Sequence, residues 1–349
     1  MKLGLSMGYV VGDNVHDDVA LAQEADRLGY SVAWAAEAYG SDAPTVLSFV
    51  AATTRQIDVG SAVMQIPART PAMTAMTAAT LDLLSGGRFR LGLGVSGPQV
   101  SEGWHGVRFD KPLARTREYV EIVDLAMTRR AVHHDGEFFT LPLPDGPGKA
   151  LKLTVHPARD HIPVYLAAIG PKNLELSGEI ADGWLAVFFS PAHAADSMAA
   201  IRAGQDNAGR TGRPFDVAAT VPVSIGADIE ACADPIRGYA ALYVGGMGSR
   251  EQNFYNQLAC RMGFEAEAKR VQDLFLDRRQ RDAMAAVPLD FIDQTSLIGP
   301  RSRVAERLHA FADAGVTTLN VSPVGSGLET RITVIRQVCE ALALAGLAD

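Results

Sequence analysis

The chain is poor in cysteine and carries none of the spacings that would put cysteine to work. Its three cysteines, Cys232, Cys260 and Cys339, are odd in number, far apart in 349 residues and in no C-x-x-C or zinc-type pattern. They read as reduced thiols in a cytoplasmic protein. No apolar run reaches the ~18 residues of a membrane span. The opening MKLGLSMGYVVGDN has one lysine and no apolar core of the kind that marks a secretion signal. There is no long basic run, and the net charge is −8, which argues against a nucleic-acid surface. H-E-x-x-H is missing. Internal repeats, low-complexity tracts and linkers are missing too, so residues 1–349 read as a single domain. What remains is 48% hydrophobic and 21% charged, an ordinary globular balance with enough chain for a large core.

The patterning is alternation. Short β-like apolar runs occur at 3–7, 31–37, 57–64, 88–95, 161–169, 183–189, 216–226 and 316–323, each followed by helical periodicity. Asp13 or Asn14 is placed to cap a first helix that Gly29 stops. Pro71 opens a helix through Leu84 that Gly86-Gly87 ends. Further helices are expected at 43–54, 114–129, 171–180, 191–208, through most of 228–286, and at 301–314 and 329–345. Eight βα units predict an α/β fold, a closed (β/α)8 TIM barrel with insertions near 96–113, 130–160 and 245–295. A doubly wound sheet, which has fewer strands, is the second choice. The 130–160 insertion carries hairpin turn signals.

In such a barrel chemistry sits at the C-terminal strand ends. Those positions are 7–9, 37–39, 64–66, 95–102, 169–173, 189–190, 226–227 and 322–325, mostly small or apolar, which suits a flat apolar cofactor better than a metal. In LGLGVSGPQVSEGWHG, Gly92-x-Gly94-x-x-Gly97 matches a dinucleotide fingerprint on paper. The match fails in context, because Pro98 opens no clear helix and no acidic residue ends a second strand about 20 residues on. A nucleophile elbow fails as well, since Pro98 stands where the second glycine belongs. The glycines then serve either close approach to a ring system or strand–helix packing. In AIGPKNLEL, Gly170-Pro171 either starts a helix or, with Lys172, presents that helix's N-terminus to an anion. His133-His134 read as solvated in the hairpin, His156 and His161 have no carboxylate partner at ligand spacing, and Trp34 and Trp184 read as core. No metal site is expected.

The stretches GYSVAWAAEAYGSDA, LSGGRFRLGLGVSGPQVSEGWHG, AAIGPKNLELSGEIADGW and ERLHAFADAGVTTLNVSPVG resemble the bacterial-luciferase-like superfamily. Within it the chain is similar to oxidoreductases dependent on coenzyme F420, a deazaflavin, of the methylenetetrahydromethanopterin reductase type. The resemblance implies a luciferase-like barrel, hydride transfer to or from a small organic substrate, and a homo-oligomer such as a homodimer. It places a non-prolyl cis peptide near Ala62-Val63, followed by Met64, behind the cofactor ring. Ser96 and Gly97 would contact the ring, and Ile169, Gly170, Pro171, Lys172 and Asn173 would hold the phosphate. Candidates for moving a proton are Glu37, Glu102 and His105, with Tyr39 behind them. The chain departs from relatives at Ala38, where several have histidine, and at Pro98, where alcohol- and sugar-phosphate-oxidising relatives have glutamate. The alternatives are an FMN-dependent luciferase-like monooxygenase and a non-catalytic cofactor-binding barrel.

Overall fold

The structure, a computed structural model, describes residues 1–9 and 15–348. Asp13 and Asn14, expected to cap the first helix, lie outside the described residues. The eight strands form at the apolar runs: β1 Lys2–Gly8, β2 Val32–Ala35, β3 Asp58–Ser61, β4 Phe89–Gly94, β5 Val164–Ala167, β6 Gly183–Val187, β7 Asp216–Ile225 and β8 Thr318–Pro323. Each pairs in parallel with the next, and β8 returns to β1 in register Thr318 with Lys2 through Val321 with Leu5. That last ladder closes the sheet into a (β/α)8 barrel and removes the doubly wound alternative.

Among the described residues eight helices ring the barrel: α1 Val15–Arg27, α2 Ala43–Thr53, α3 Pro71–Ser85, α4 Pro112–Met127, α5 Pro171–Ile180, α6 Ala194–Asn207, α7 Arg301–Asp313 and α8 Leu328–Leu344. Local chemistry sets their ends. The Asp42 carboxylate caps α2 by accepting the Thr45 N–H at 3.0 Å. Thr70 caps α3, Pro71 takes its first position, and Gly86 ends it in the left-handed region. Caps of this kind contribute about 1 kcal/mol each. α5, which matters for the site, is locked to α6 because a side chain on Gly204 would stand 1.9 Å from the Glu175 carbonyl oxygen.

The barrel is filled, not hollow. Trp34 and Tyr165 meet edge to face at 5.1 Å with Val32, Leu185 and Ala218 around them, and Trp34 Nε1 donates to Asn320 Oδ1 at 2.9 Å. At the N-terminal strand ends Arg90 bridges Asp58 at 2.8 Å and Asp216 at 3.3 Å. The lower mouth is thus sealed by a side-chain network, and the opposite mouth is left for binding.

Departures from the sequence expectations have local causes. The third strand does not run 57–64. It ends at Ser61, the Ala62–Val63 peptide is cis, and Met64–Gln65 resumes beside Leu93 and Gly94. In the gap the Ser61 hydroxyl takes over the ladder, donating to the Gly92 carbonyl at 2.8 Å and accepting the Gly92 N–H at 2.9 Å. Pro98 does open a helix, the four-residue Pro98–Ser101, because proline suits a first helical position. The hairpin is His134–Asp135 against Thr140–Leu141. His134 is not solvated: its side chain is 8% exposed and packs on Glu118 at 3.5 Å. The fold also brings His161 to Asp182 at 2.8 Å, a carboxylate partner that no spacing in sequence reveals.

After Ile229–Ala241 the long insertion holds the helices Phe254–Arg261, Glu265–Leu276, Gln280–Ala285 and Leu289–Thr295, the last beyond the stretch expected to be helical. A three-residue strand, Leu297–Gly299, follows and pairs with the end of β7. These elements bury their own apolar cluster around Phe188 and Phe291, and so form a second layer beside the barrel mouth.

Candidate active site

A cleft of about 670 Å³ opens at the C-terminal strand ends. Tyr9 follows β1, and Glu37, Ala38 and Tyr39 follow β2. Ala62, Val63 and Gln65 come from the broken third strand, Gly94 to Gly97 from the end of β4, and Ala167 to Asn173 from the end of β5. Leu185, Val187 and Thr220 contribute from β6 and β7. The strand ends expected at 189–190, 226–227 and 322–325 do not reach it. Their place is taken by Tyr243, Met247, Phe254 and Tyr255 from the insertion.

Of the residues expected to hold a cofactor, Ala62, Val63, Ser96, Gly97, Ile169, Gly170, Pro171, Lys172 and Asn173 all line this one cleft. Met64 does not, because its alternation along the resumed strand turns it into the fully buried core. Ser96 has φ 59°, a left-handed conformation that is uncommon for a residue with a side chain and costs about 1–3 kcal/mol. Its hydroxyl is fixed there by Gln65 Nε2 at 2.7 Å, and Gln65 Oε1 is in turn 3.0 Å from His105 Nε2.

The three expected proton carriers fare differently. Glu37 lines the cleft, but its carboxylate is fully engaged. Oε1 accepts from Arg69 Nη1 at 2.5 Å and the Gln65 N–H at 3.3 Å, and Oε2 from Arg69 Nη2 at 2.8 Å and the Ala43 N–H at 3.0 Å. A carboxylate so engaged orders the loops after β2 and β3, so the geometry makes Glu37 a clamp. Asp42 grips the same guanidinium at 2.5 Å. The Arg69 carbonyl accepts from the Tyr119 hydroxyl, which burial pushes up to about 12. Glu102 faces away: it is 42% exposed, pairs with Arg108 at 3.6 Å and accepts the Phe109 N–H. The short helix opened by Pro98 swings it off the cleft. His105 sits behind Gln65 and touches the cleft only through the Gln65–Ser96 chain.

The helix start expected to hold an anion opens onto the cleft. Gly170 is the N-cap of α5 and no side chain caps the helix, so the positive end of its dipole is left open beside Lys172. Arg261 Nη2 pins the preceding turn through the Ile169 carbonyl at 3.1 Å. The glycine triplet divides its work: Gly94 and Gly97 line the cleft, whereas Gly92 lies beneath it, where a Cβ would stand 1.9 Å from the Ser61 carbonyl oxygen. Packing explains Gly92, and no phosphate loop exists there. Among the described residues no group of three His, Cys, Asp or Glu side chains is placed to hold a metal ion, and no helix is long and apolar enough to cross a membrane.

The sequence shows Gln65 only as one of the strand-end positions 64–66, and does not single out Arg69, Tyr243, Met247, Phe254 and Tyr255. Arg69 and Gln65 act through contacts that only the broken strand creates. The tyrosines had one signal, the i, i+4 pair Tyr239 and Tyr243 in a helical stretch, where an aromatic stripe ordinarily means core.

Residues 2–318 match the family model of the luciferase-like monooxygenases, and the chain belongs to that enzyme family. It is 41% identical over 338 residues, 95% of this chain and 97% of the relative, to a Mycobacterium tuberculosis protein assigned by name to the coenzyme F420-dependent oxidoreductases. It is 30% identical over 318 residues, 89% of this chain and 91% of the relative, to the 5,10-methylenetetrahydromethanopterin reductase of Archaeoglobus fulgidus. Among solved structures, the coenzyme F420-dependent tetrahydromethanopterin reductase of Methanopyrus kandleri superposes with a TM-score of 0.82 at 25% identity, covering 96% of each chain.

Proposed function

We propose that this enzyme uses coenzyme F420 to transfer a hydride to or from a small organic substrate. The observation that carries the reading is a cleft with two unlike ends. One is an uncapped helix N-terminus with a lysine, and the other is a run of apolar and backbone surface from Ala62, Val63, Ser96 and Gly97. The donor set fits a group that joins a flat ring to a phosphodiester tail, and both sequence relatives bear names of F420 or methanopterin enzymes.

In this reading Ala62, Val63, Ser96 and Gly97 would hold the ring, and Ile169 to Asn173 would hold the phosphate. When bound, the deazaflavin supplies two-electron hydride chemistry, since carbon in place of the flavin N5 disfavours one-electron and oxygen chemistry. The chain's own residues bind, orient and exclude water. Lys172 and the α5 N-terminus neutralise the anion, and the His105–Gln65–Ser96 chain orients the Ser96 hydroxyl. The insertion wall from Tyr243 to Tyr255 shields the cleft from bulk water.

Lys172→Ala is expected to weaken deazaflavin binding roughly tenfold, the value of one charge-assisted contact, with an unchanged thermal midpoint. Equilibrium titration measures it, and an unchanged dissociation constant would remove 170–173 from the phosphate site. The reading also carries a cytoplasmic setting and a homo-oligomer. Exposed Phe49, Met73, Met76 and Leu83 on α2 and α3 support self-association.

A further inference from the structure

The cleft has a wall to which the cofactor reading assigns only the exclusion of water. It is built by Tyr9 from the barrel and by Tyr243, Met247, Phe254 and Tyr255 from the insertion. Tyr243 stands in a π-helical turn, Leu242–Gly246, of the kind often found at functional sites. The turn is held rigidly: Nδ2 of the buried Asn253 donates to the Tyr243 carbonyl at 3.1 Å and to the Val244 carbonyl at 3.0 Å, and Asn256 Nδ2 adds a bond to Val244 at 3.1 Å. The Tyr243 and Tyr255 rings meet at 4.7 Å and 83°, and Phe188 backs Tyr243 at 5.5 Å.

Charge is the second observation. Among the described residues lining the cleft only Glu37 and Lys172 carry a formal charge. Glu37 is consumed by Arg69, and Lys172 stands at the α5 N-terminus. A carboxylate or phosphate on a molecule seated at the tyrosine wall would meet no cation there, and an unpaired charge removed from water is penalised far beyond what one hydrogen bond returns. Polarity at the wall comes from phenols. Tyr9 and Tyr243 are hydrogen-bond partners, and when Tyr243 donates in that bond the single Tyr9 proton is free for the cleft. Burial raises the hydroxyls of Tyr9, Tyr243 and Tyr255, which keeps them neutral donors at physiological pH.

We infer that this wall is the substrate subsite, and that it takes an uncharged, largely apolar molecule whose carbonyl oxygen accepts a hydrogen bond from Tyr9. The inference rests on the proposed function only in leaving this part of the cleft to the substrate. Tyr9 then orients the carbonyl, and the aromatic faces contact its hydrocarbon body.

The test is equilibrium binding to the full-length chain, with and without coenzyme F420, of three bicyclic probes: tetralone, its hydrocarbon analogue tetralin, and the anion naphthoate. Tetralone is expected to bind about tenfold more tightly than tetralin, the value of one hydrogen bond, and naphthoate more weakly than either. Tyr9→Phe should abolish the tetralone advantage and leave tetralin and deazaflavin binding unchanged, the latter reporting an intact fold. Met247→Arg should raise naphthoate affinity about tenfold by placing a cation in the wall. Naphthoate binding the wild-type chain as well as tetralone, a tetralone advantage that survives Tyr9→Phe, or a naphthoate affinity indifferent to Met247→Arg would each overturn the subsite. If the probes behave as expected while coenzyme F420 fails to bind, the subsite stands and the proposed function falls.

Discussion

Arg69→Ala is expected to lower folding stability by about 3–5 kcal/mol, the range found when one partner of a buried ion pair is removed. The Arg69 side chain is 14% exposed and that of Glu37 7%, and the fork between them is bidentate. Deleting the guanidinium leaves the carboxylate with only the N–H groups of Ala43 and Gln65. The double variant Arg69→Ala with Glu37→Gln removes the orphaned charge as well, so it should recover part of the loss. Arg69→Lys should rescue only partly, because an ammonium cannot reproduce the planar fork. Urea unfolding with an unchanged m-value measures all three. A loss below about 1 kcal/mol for Arg69→Ala would return the pair to the ordinary class of surface bridges. The same series separates the roles of Glu37: a clamp loses stability on Glu37→Gln, whereas a proton carrier loses turnover with stability intact.

Gly92→Ala is expected to be comparably damaging, at least about 3 kcal/mol, the upper end of overpacking. The added methyl would stand 1.9 Å from the Ser61 carbonyl oxygen and 2.7 Å from Leu185 Cδ1. Ser61 cannot yield, because its hydroxyl is already bonded to both backbone groups of Gly92. Gly97→Ala is the internal control. Its Cβ would meet only Gln99 Oε1 at 3.3 Å, the end of a flexible side chain, and its φ of −104° suits any residue. Thermal midpoints should fall sharply for the first and hardly move for the second. Equal effects would mean that strand packing does not distinguish the two glycines.

The contrast between these glycines shows what a sequence can carry. Gly92, Gly94 and Gly97 are alike in a motif, and only the path of the neighbouring third strand, which leaves the ladder at Ser61, assigns one to packing and two to the cleft. The eight strands were legible because each is a compact apolar run followed by a helix with its own cap or stop, as at Thr70-Pro71 and Gly86. The proposed anion site was legible as a helix start because Gly170, Pro171 and Lys172 are contiguous. Glu37 was found for its strand-end position, yet its role depends on Arg69, 32 residues away, which no periodicity connects to it. Glu102 was misjudged because Pro98 starts a helical turn that rotates it outward. The tyrosine wall was invisible for a further reason: it exists only where an insertion with its own apolar cluster folds back over the barrel mouth.

The central claim is tested most directly by titrating the purified full-length chain side by side with coenzyme F420 and with FMN, followed calorimetrically. The account predicts saturable one-to-one binding of coenzyme F420 that weakens in Lys172→Ala, and FMN binding weaker by at least about tenfold. Tight FMN binding with none for coenzyme F420 would contradict it and make the chain a flavin enzyme of the same family.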